Sequence, residues 1–249
     1  MGERRSTWPC RYNPIFTALQ APRRRTALVA LLARETTVDA ETLAREVAGL
    51  EGAGADPRTV RLGLEHVDLP ALAEADLVTW DAEADAVATA DHPAFDDGRL
   101  ERVLRLEVAG LDDVLAALAR ERHRATLAVV AAAGAITREA LATELARRFD
   151  DGNEPDPALV DQIEASLVHV QLPALGAADL LETEADGTVR LADNPALAAV
   201  CEVLDGRRPG VLDRFDGFLG GLGEVAPRRS TTASALFDLP GSWTDASHG

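Results

Sequence analysis

Glu65-His66-Val67-Asp68-Leu69-Pro70-Ala71-Leu72 returns later in the chain as Val168-His169-Val170-Gln171-Leu172-Pro173-Ala174-Leu175. Ala75-Asp76-Leu77 then returns as Ala178-Asp179-Leu180 at the same spacing. Working outward, Phe16, Leu19, Arg23 and Leu28 match Leu115, Leu118, Arg122 and Leu127, and Asp91-His92-Pro93-Ala94 matches Asp193-Asn194-Pro195-Ala196. Matches in one order over so long a stretch mark an internal duplication, the feature to look for before any other.

Both copies parse alike. A first helix starting near Pro14 or Asp113 places Leu28, Leu31 and Leu32, or Leu127, Val130 and Ala131, at helical spacing. A short loop with Val38 or Ile136 leads to a capping residue, Asp39 or Thr137, and a second helix burying Leu43 and Val47, or Leu141 and Leu145. Asp56-Pro57 and Asp156-Pro157 pair a cap with a proline at the first helical position. The third helix that follows is expected to bury Val60, Leu64 and Val67 in one copy and Ile163, Leu167 and Val170 in the other. Next come two β-like runs joined by a turn: 77–80 and 86–89 around Asp81 to Asp85, then 180–183 and 188–191 around Asp186-Gly187. A further helix follows each hairpin, Arg99 to Val108 and Pro195 to Leu204.

Three helices and a hairpin in this order read as a winged helix. The expected fold is therefore mainly α with small β wings: two tandem winged helix-turn-helix domains over 14–108 and 111–204. Gly, Pro, Ser and Thr dominate 205–249, which reads as a flexible C-terminal tail with an apolar patch at Phe215 to Leu222.

The Leu-Pro step demands a local departure from a regular helix. Proline has no N–H for the carbonyl four residues earlier, which is that of His66 for Pro70 and of His169 for Pro173. The third helix must kink there, or end and restart with proline in its first turn. His66 and His169 sit at the break, either as sensor or ligand histidines or, more simply, hydrogen-bonded near the interruption.

All 25 basic residues are Arg, against 42 Asp plus Glu, for a net charge of −17. Such a surface repels nucleic acid and anionic membrane at ordinary salt, and it suits proteins living in concentrated salt. There the Debye length shrinks to about 3 Å, so net charge no longer decides which partners approach, and counterion release adds little to DNA binding. Cys10 and Cys201 are the only cysteines and have no metal-like spacing, as in a reducing cytoplasm. The longest uncharged apolar run, Ala125 to Ile136, is about half a membrane span. The Arg-rich start, Met1 to Tyr12, lacks the apolar core of a secretory signal. The expectation is a soluble cytoplasmic protein.

The five histidines (66, 92, 123, 169 and 248) show no metal spacing, and no nucleophile elbow, phosphate loop or dinucleotide fingerprint is present. No enzymatic role, metal, cofactor or small-molecule ligand is expected.

The His66, Leu69, Pro70, Leu72 step, repeated at His169, Leu172, Pro173 and Leu175, resembles the H-x-x-L-P-x-L mark of haloarchaeal winged-helix domains of unknown function. The Arg-rich first helix of that family matches Arg23-Arg24-Arg25 and Arg122-His123-Arg124, and the layout is more distantly similar to arsenic-repressor-type winged helices. The resemblance spans roughly residues 14 to 204. It implies a transcription regulator or DNA-associated protein and brings no catalytic residues with it.

In a winged helix the exposed stripe near the start of the third helix enters the major groove. Copy one shows Arg58, Thr59, Arg61 and Glu65 there, and its arginines have the chemistry to meet phosphates or a guanine edge. Copy two shows Asp161, Gln162, Glu164 and Val168, which repel phosphate. Copy one is thus the expected reader of double-stranded DNA, through Arg58, Thr59 and Arg61 with Arg23, Arg24 and Arg25. Copy two is then the pairing or interaction module. The competing expectation is a protein-interaction or self-association module that binds no DNA. A continuous basic patch joining the six would favour DNA; arginines isolated among carboxylates would favour protein partners.

Overall fold

Asn13 caps the first helix, α1 (Pro14–Leu19), its side chain accepting the Phe16 N–H at 3.1 Å. The computed structural model describes residues 13–34, 36–96, 98–149 and 155–205. Met1 to Tyr12 and the tail read from sequence as flexible, with Phe215 to Leu222, lie outside them.

The single first helix expected in each copy is two helices. In copy one, α1 is followed by α2 (Pro22–Leu32); the residue before a proline is disfavoured in the helical region, and Ala21 sits extended at φ −89, ψ 122. Copy two makes the same break without a proline. Its α7 runs Leu111–Leu118, starting earlier than the expected Asp113, and α8 runs Glu121–Ala133, with Arg120 extended between them. The common device is an arginine: the Arg25 guanidinium donates to the Leu19 carbonyl at 2.7 Å, and that of Arg124 to the Leu118 carbonyl at 2.5 Å. Each satisfies a carbonyl that the interrupted helix leaves without a backbone partner.

Copy one continues with α3 (Ala40–Glu51), capped by Asp39, and α4 (Pro57–Gly63), capped by Asp56. Their counterparts are α9 (Arg138–Phe149), where the Thr137 hydroxyl accepts the Ala140 N–H, and α10 (Pro157–Ser166), capped by Asp156. At the Leu-Pro step a π-helical turn intervenes, Leu64–Asp68 in copy one and Leu167–Gln171 in copy two. Leu69 and Leu172 each donate to the carbonyl five residues back. The chain then restarts as α5 (Leu69–Glu74) or α11 (Leu172–Ala177) with proline in the first turn.

The wider turn advances the buried face by one position, which corrects the expected core. Asp68 and Gln171 are buried, while Val67 is 55% and Val170 51% exposed. Each restarted helix ends the same way. Leu77 donates to Leu72 and Asp76 to Ala73; in copy two Leu180 donates to Leu175 and Asp179 to Gly176. This paired C-terminal closure needs a left-handed residue, supplied by Asp76 (φ 54) and Asp179 (φ 55). The repeated Ala-Asp-Leu is thereby explained.

The hairpins form one two-stranded and one three-stranded antiparallel sheet. β1 (Val78–Asp81) pairs with β2 (Ala86–Thr89), and Val38 adds a single bridge to Val87. In copy two that bridge has grown into a strand: β3 (Ala135–Thr137) pairs with β5 (Thr188–Leu191), which also pairs with β4 (Leu181–Thr183). A loop was expected at both places. The helix after the first hairpin, α6 (Arg99–Leu104), stops short of the expected Val108, and its counterpart is α12 (Pro195–Asp205).

The copies meet through equivalent elements, α1 against α7 and α6 against α12, and share one hydrophobic core. The Asn13 N–H, just before α1, donates to the Ala119 carbonyl just after α7 at 2.7 Å. At the other end Arg25 pairs with Asp112, in the first turn of α7, at 2.5 Å. The two helices therefore run antiparallel. Like packing on like in this sense is the arrangement a two-fold axis generates. No helix among the described residues is long and apolar enough to cross a membrane.

Candidate functional site

The six residues expected to face DNA are not assembled into a basic patch. Arg23 lies across Gly63 and pairs with Glu51 at 2.9 Å, its guanidinium pKa raised chiefly by that hydrogen bond. Arg24 turns inward, its Nε 3.1 Å from Asp68 Oδ1 and a second nitrogen on the Thr17 carbonyl, with both partners largely buried. Arg25 serves the Leu19 carbonyl and Asp112 of the other copy.

On α4, Arg61 is surrounded by acid. Its Nε meets Glu65 at 2.6 Å, one nitrogen meets Glu41 at 3.3 Å, and Asp85 of the β1–β2 turn lies 3.9 Å away. The Glu65 hydrogen bond is the main cause of its raised pKa. The Thr59 hydroxyl donates to Asp56, the cap of its own helix, and this bond with the Arg58 and Thr59 N–H groups holds the Asp56 carboxyl below its ordinary value. Arg58 stands exposed and makes no ion pair among the described residues. The second hairpin repeats the theme, since Arg190 is held between Glu182 at 2.7 Å and Glu184 at 3.3 Å.

On α10 the matching positions carry exposed Asp161 and Gln162 and a partly buried Glu164, with Val168 partly buried in the π-turn. His66 and His169 stand exposed on the outer face of the π-turns rather than hydrogen-bonded at the break. Leu69, Leu72, Leu172 and Leu175 are buried and secure the restarted helices, with Pro70 and Pro173 exposed.

A related pair of sites escaped the sequence reading. His123 occupies the place of Arg24, and Gln171 that of Asp68. His123 is 3% exposed, with the Ala117 carbonyl and the Gln171 amide facing its ring and neither nitrogen closing a hydrogen bond. Burial lowers its pKa to about 4, and the charges of Arg120 and Arg124 act in the same direction. Gln171 instead donates to Ser166 Oγ at 2.9 Å. An ion pair in one copy is thus a neutral pair in the other. The alignment offset of Arg23 on Arg122 and of His66 on His169 would have found it.

Copy two carries a groove of about 880 Å³ whose lining mixes Val129, Ala133 and Ile136 with Glu139, Glu144, Arg147 and Arg148. In copy one Arg34, at the position of Ala133, pairs with Glu46 across the corresponding place.

No curated protein and no solved structure matches the chain. The family model described as a domain of unknown function, DUF7344, matches twice, over residues 16–88 and 115–190. Each match runs from the first helix of a copy into its hairpin, and together they take in more than half of the sequence. The chain belongs to the DUF7344 family and carries two copies of its domain in tandem.

Proposed function

We propose that this tandem of winged-helix-type domains, adapted to a salt-rich cytoplasm, is a protein-interaction module that does not read DNA. The observation that carries the reading is the fate of the arginines. Arg23, Arg24, Arg25 and Arg61 are each engaged by a carboxylate. To meet a phosphate each would first give up that partner, and in molar salt the counterion release that normally drives such an exchange is small. The hairpin beside α4 adds Asp81 and Glu83, both exposed, to the repulsion.

A second reading, a DNA-associated transcription regulator with copy one as the reader, draws on one feature: Arg58 is exposed in the first turn of α4 beside Thr59. Retention of genomic DNA fragments in molar potassium chloride separates the two. The interaction reading expects equal, background retention by the wild type and by an Arg58→Ala, Arg61→Ala double variant. Strong retention that the double variant loses would establish the second reading instead.

A further inference from the structure

The exposed stripes of α4 and α10 occupy equivalent positions and differ in a complementary way. On copy one the face carries Arg58, Leu62 and, in the π-turn, His66 and Val67, all exposed; Leu62 is 58% and Val67 55% exposed. On copy two it carries Asp161, Ala165, His169 and Val170, the last 51% exposed. Neither Arg58 nor Asp161 forms an ion pair among the described residues, whereas Arg23, Arg61 and Arg190 are each held by a carboxylate. Within one chain the copies already pack through α1, α7, α6 and α12, so these stripes are left outward.

We infer that the α4 stripe of one chain docks on the α10 stripe of a second copy. This rests on the protein-interaction reading and names its partner. Laid side by side in the same direction, the stripes can pair in three ways, and charge and size select one. Two α4 stripes would set Arg58 against Arg58 and crowd Leu62 on Leu62; two α10 stripes would set Asp161 against Asp161. The mixed pairing sets Arg58 against Asp161 and a large Leu62 against a small Ala165, with His66 beside His169 and Val67 beside Val170 continuing the contact. The net charge of −17 opposes any self-association at low salt, and molar salt screens that repulsion to within about 3 Å. Docking therefore tightens as salt rises, the reverse of DNA binding.

Sedimentation equilibrium of the full chain in molar potassium chloride tests the inference. The wild type is expected to self-associate. Arg58→Asp and Asp161→Arg are each expected to weaken association about tenfold by facing like charges. The Arg58→Asp, Asp161→Arg double variant is expected to recover most of the loss. Circular dichroism confirms that the variants fold, as substitutions at exposed positions should. A wild type that stays monomeric, single reversals without effect, or a double variant no tighter than the singles overturns the docking. Those outcomes leave the broader reading intact when DNA retention stays at background; DNA retention that depends on Arg58 overturns the broader reading itself.

Discussion

Arg24 Nε lies 3.1 Å from Asp68 Oδ1, a bond that pins the start of α2 to the π-turn before Pro70. The turn brings Asp68 inward in place of Val67, so the carboxylate is there to receive a largely buried arginine. Removing one member leaves the other charged without a partner, which costs more than the pair contributes. Asp68→Ala should destabilise the protein by about 2–4 kcal/mol. The Arg24→His, Asp68→Gln double variant, which copies the neutral pair of copy two, should recover most of that. Urea denaturation in molar potassium chloride measures both. A double variant as unstable as Asp68→Ala would show that the two sites are not equivalent.

His123 makes copy two sensitive to acid. Its pKa is about 4 in the folded chain against an ordinary 6.5. Between those values the unfolded chain binds the proton that the folded chain refuses, so stability is complete above pH 6.5 and falls as the pH drops toward 4. The loss from this one group is roughly 3 kcal/mol. Because carboxylates also titrate at the lower end, the quantity to measure is the difference between wild type and His123→Leu. That difference should shift in favour of the variant on going from pH 7.5 to 4.5; parallel curves would contradict the assignment.

Asp76 and Asp179 hold left-handed backbone angles where their helices close. A side chain without local hydrogen-bonding capacity tolerates that region poorly. Asp76→Ala should cost about 1 kcal/mol, and Asp76→Gly should be neutral or mildly stabilising, since glycine enters the region without a Cβ clash. Thermal unfolding of the two variants side by side gives the comparison. Equal stability of the two would remove left-handed strain as the reason for the repeated Ala-Asp-Leu.

The Arg124 guanidinium is buried on the Leu118 carbonyl, whereas Arg25 is only partly buried on Leu19. Arg124→Ala should therefore be the more damaging, by about 1–2 kcal/mol, because it strands a carbonyl in a drier place. Arg25→Ala should in addition loosen the contact between the copies, since it removes the tie to Asp112. Hydrogen exchange across α1 and α7 reports this directly: faster exchange in Arg25→Ala at both helices is expected, and change confined to α1 would count against the tie.

The duplication, the caps at Asp39, Asp56 and Asp156, and the proline-driven break at Pro70 and Pro173 were all legible in the residues, because each rests on local backbone chemistry. What was not legible lies where tertiary structure sets the outcome. Val67 and Val170 fit a regular helical period, but the π-turn adds a residue and buries Asp68 and Gln171 instead. Arg23, Arg24 and Arg25 read as one basic run, yet successive helical positions point in different directions and each finds a separate carboxylate. Glu41 and Asp85 are remote from Arg61 in sequence and close only through the fold. Nothing local announces such partners.

Most directly, the central claim is tested by sedimenting the chain with a mixture of labelled genomic DNA fragments in molar potassium chloride. The protein should self-associate while the DNA sediments as if alone. DNA that moves with the protein, and ceases to do so in the Arg58→Ala, Arg61→Ala variant, would contradict it.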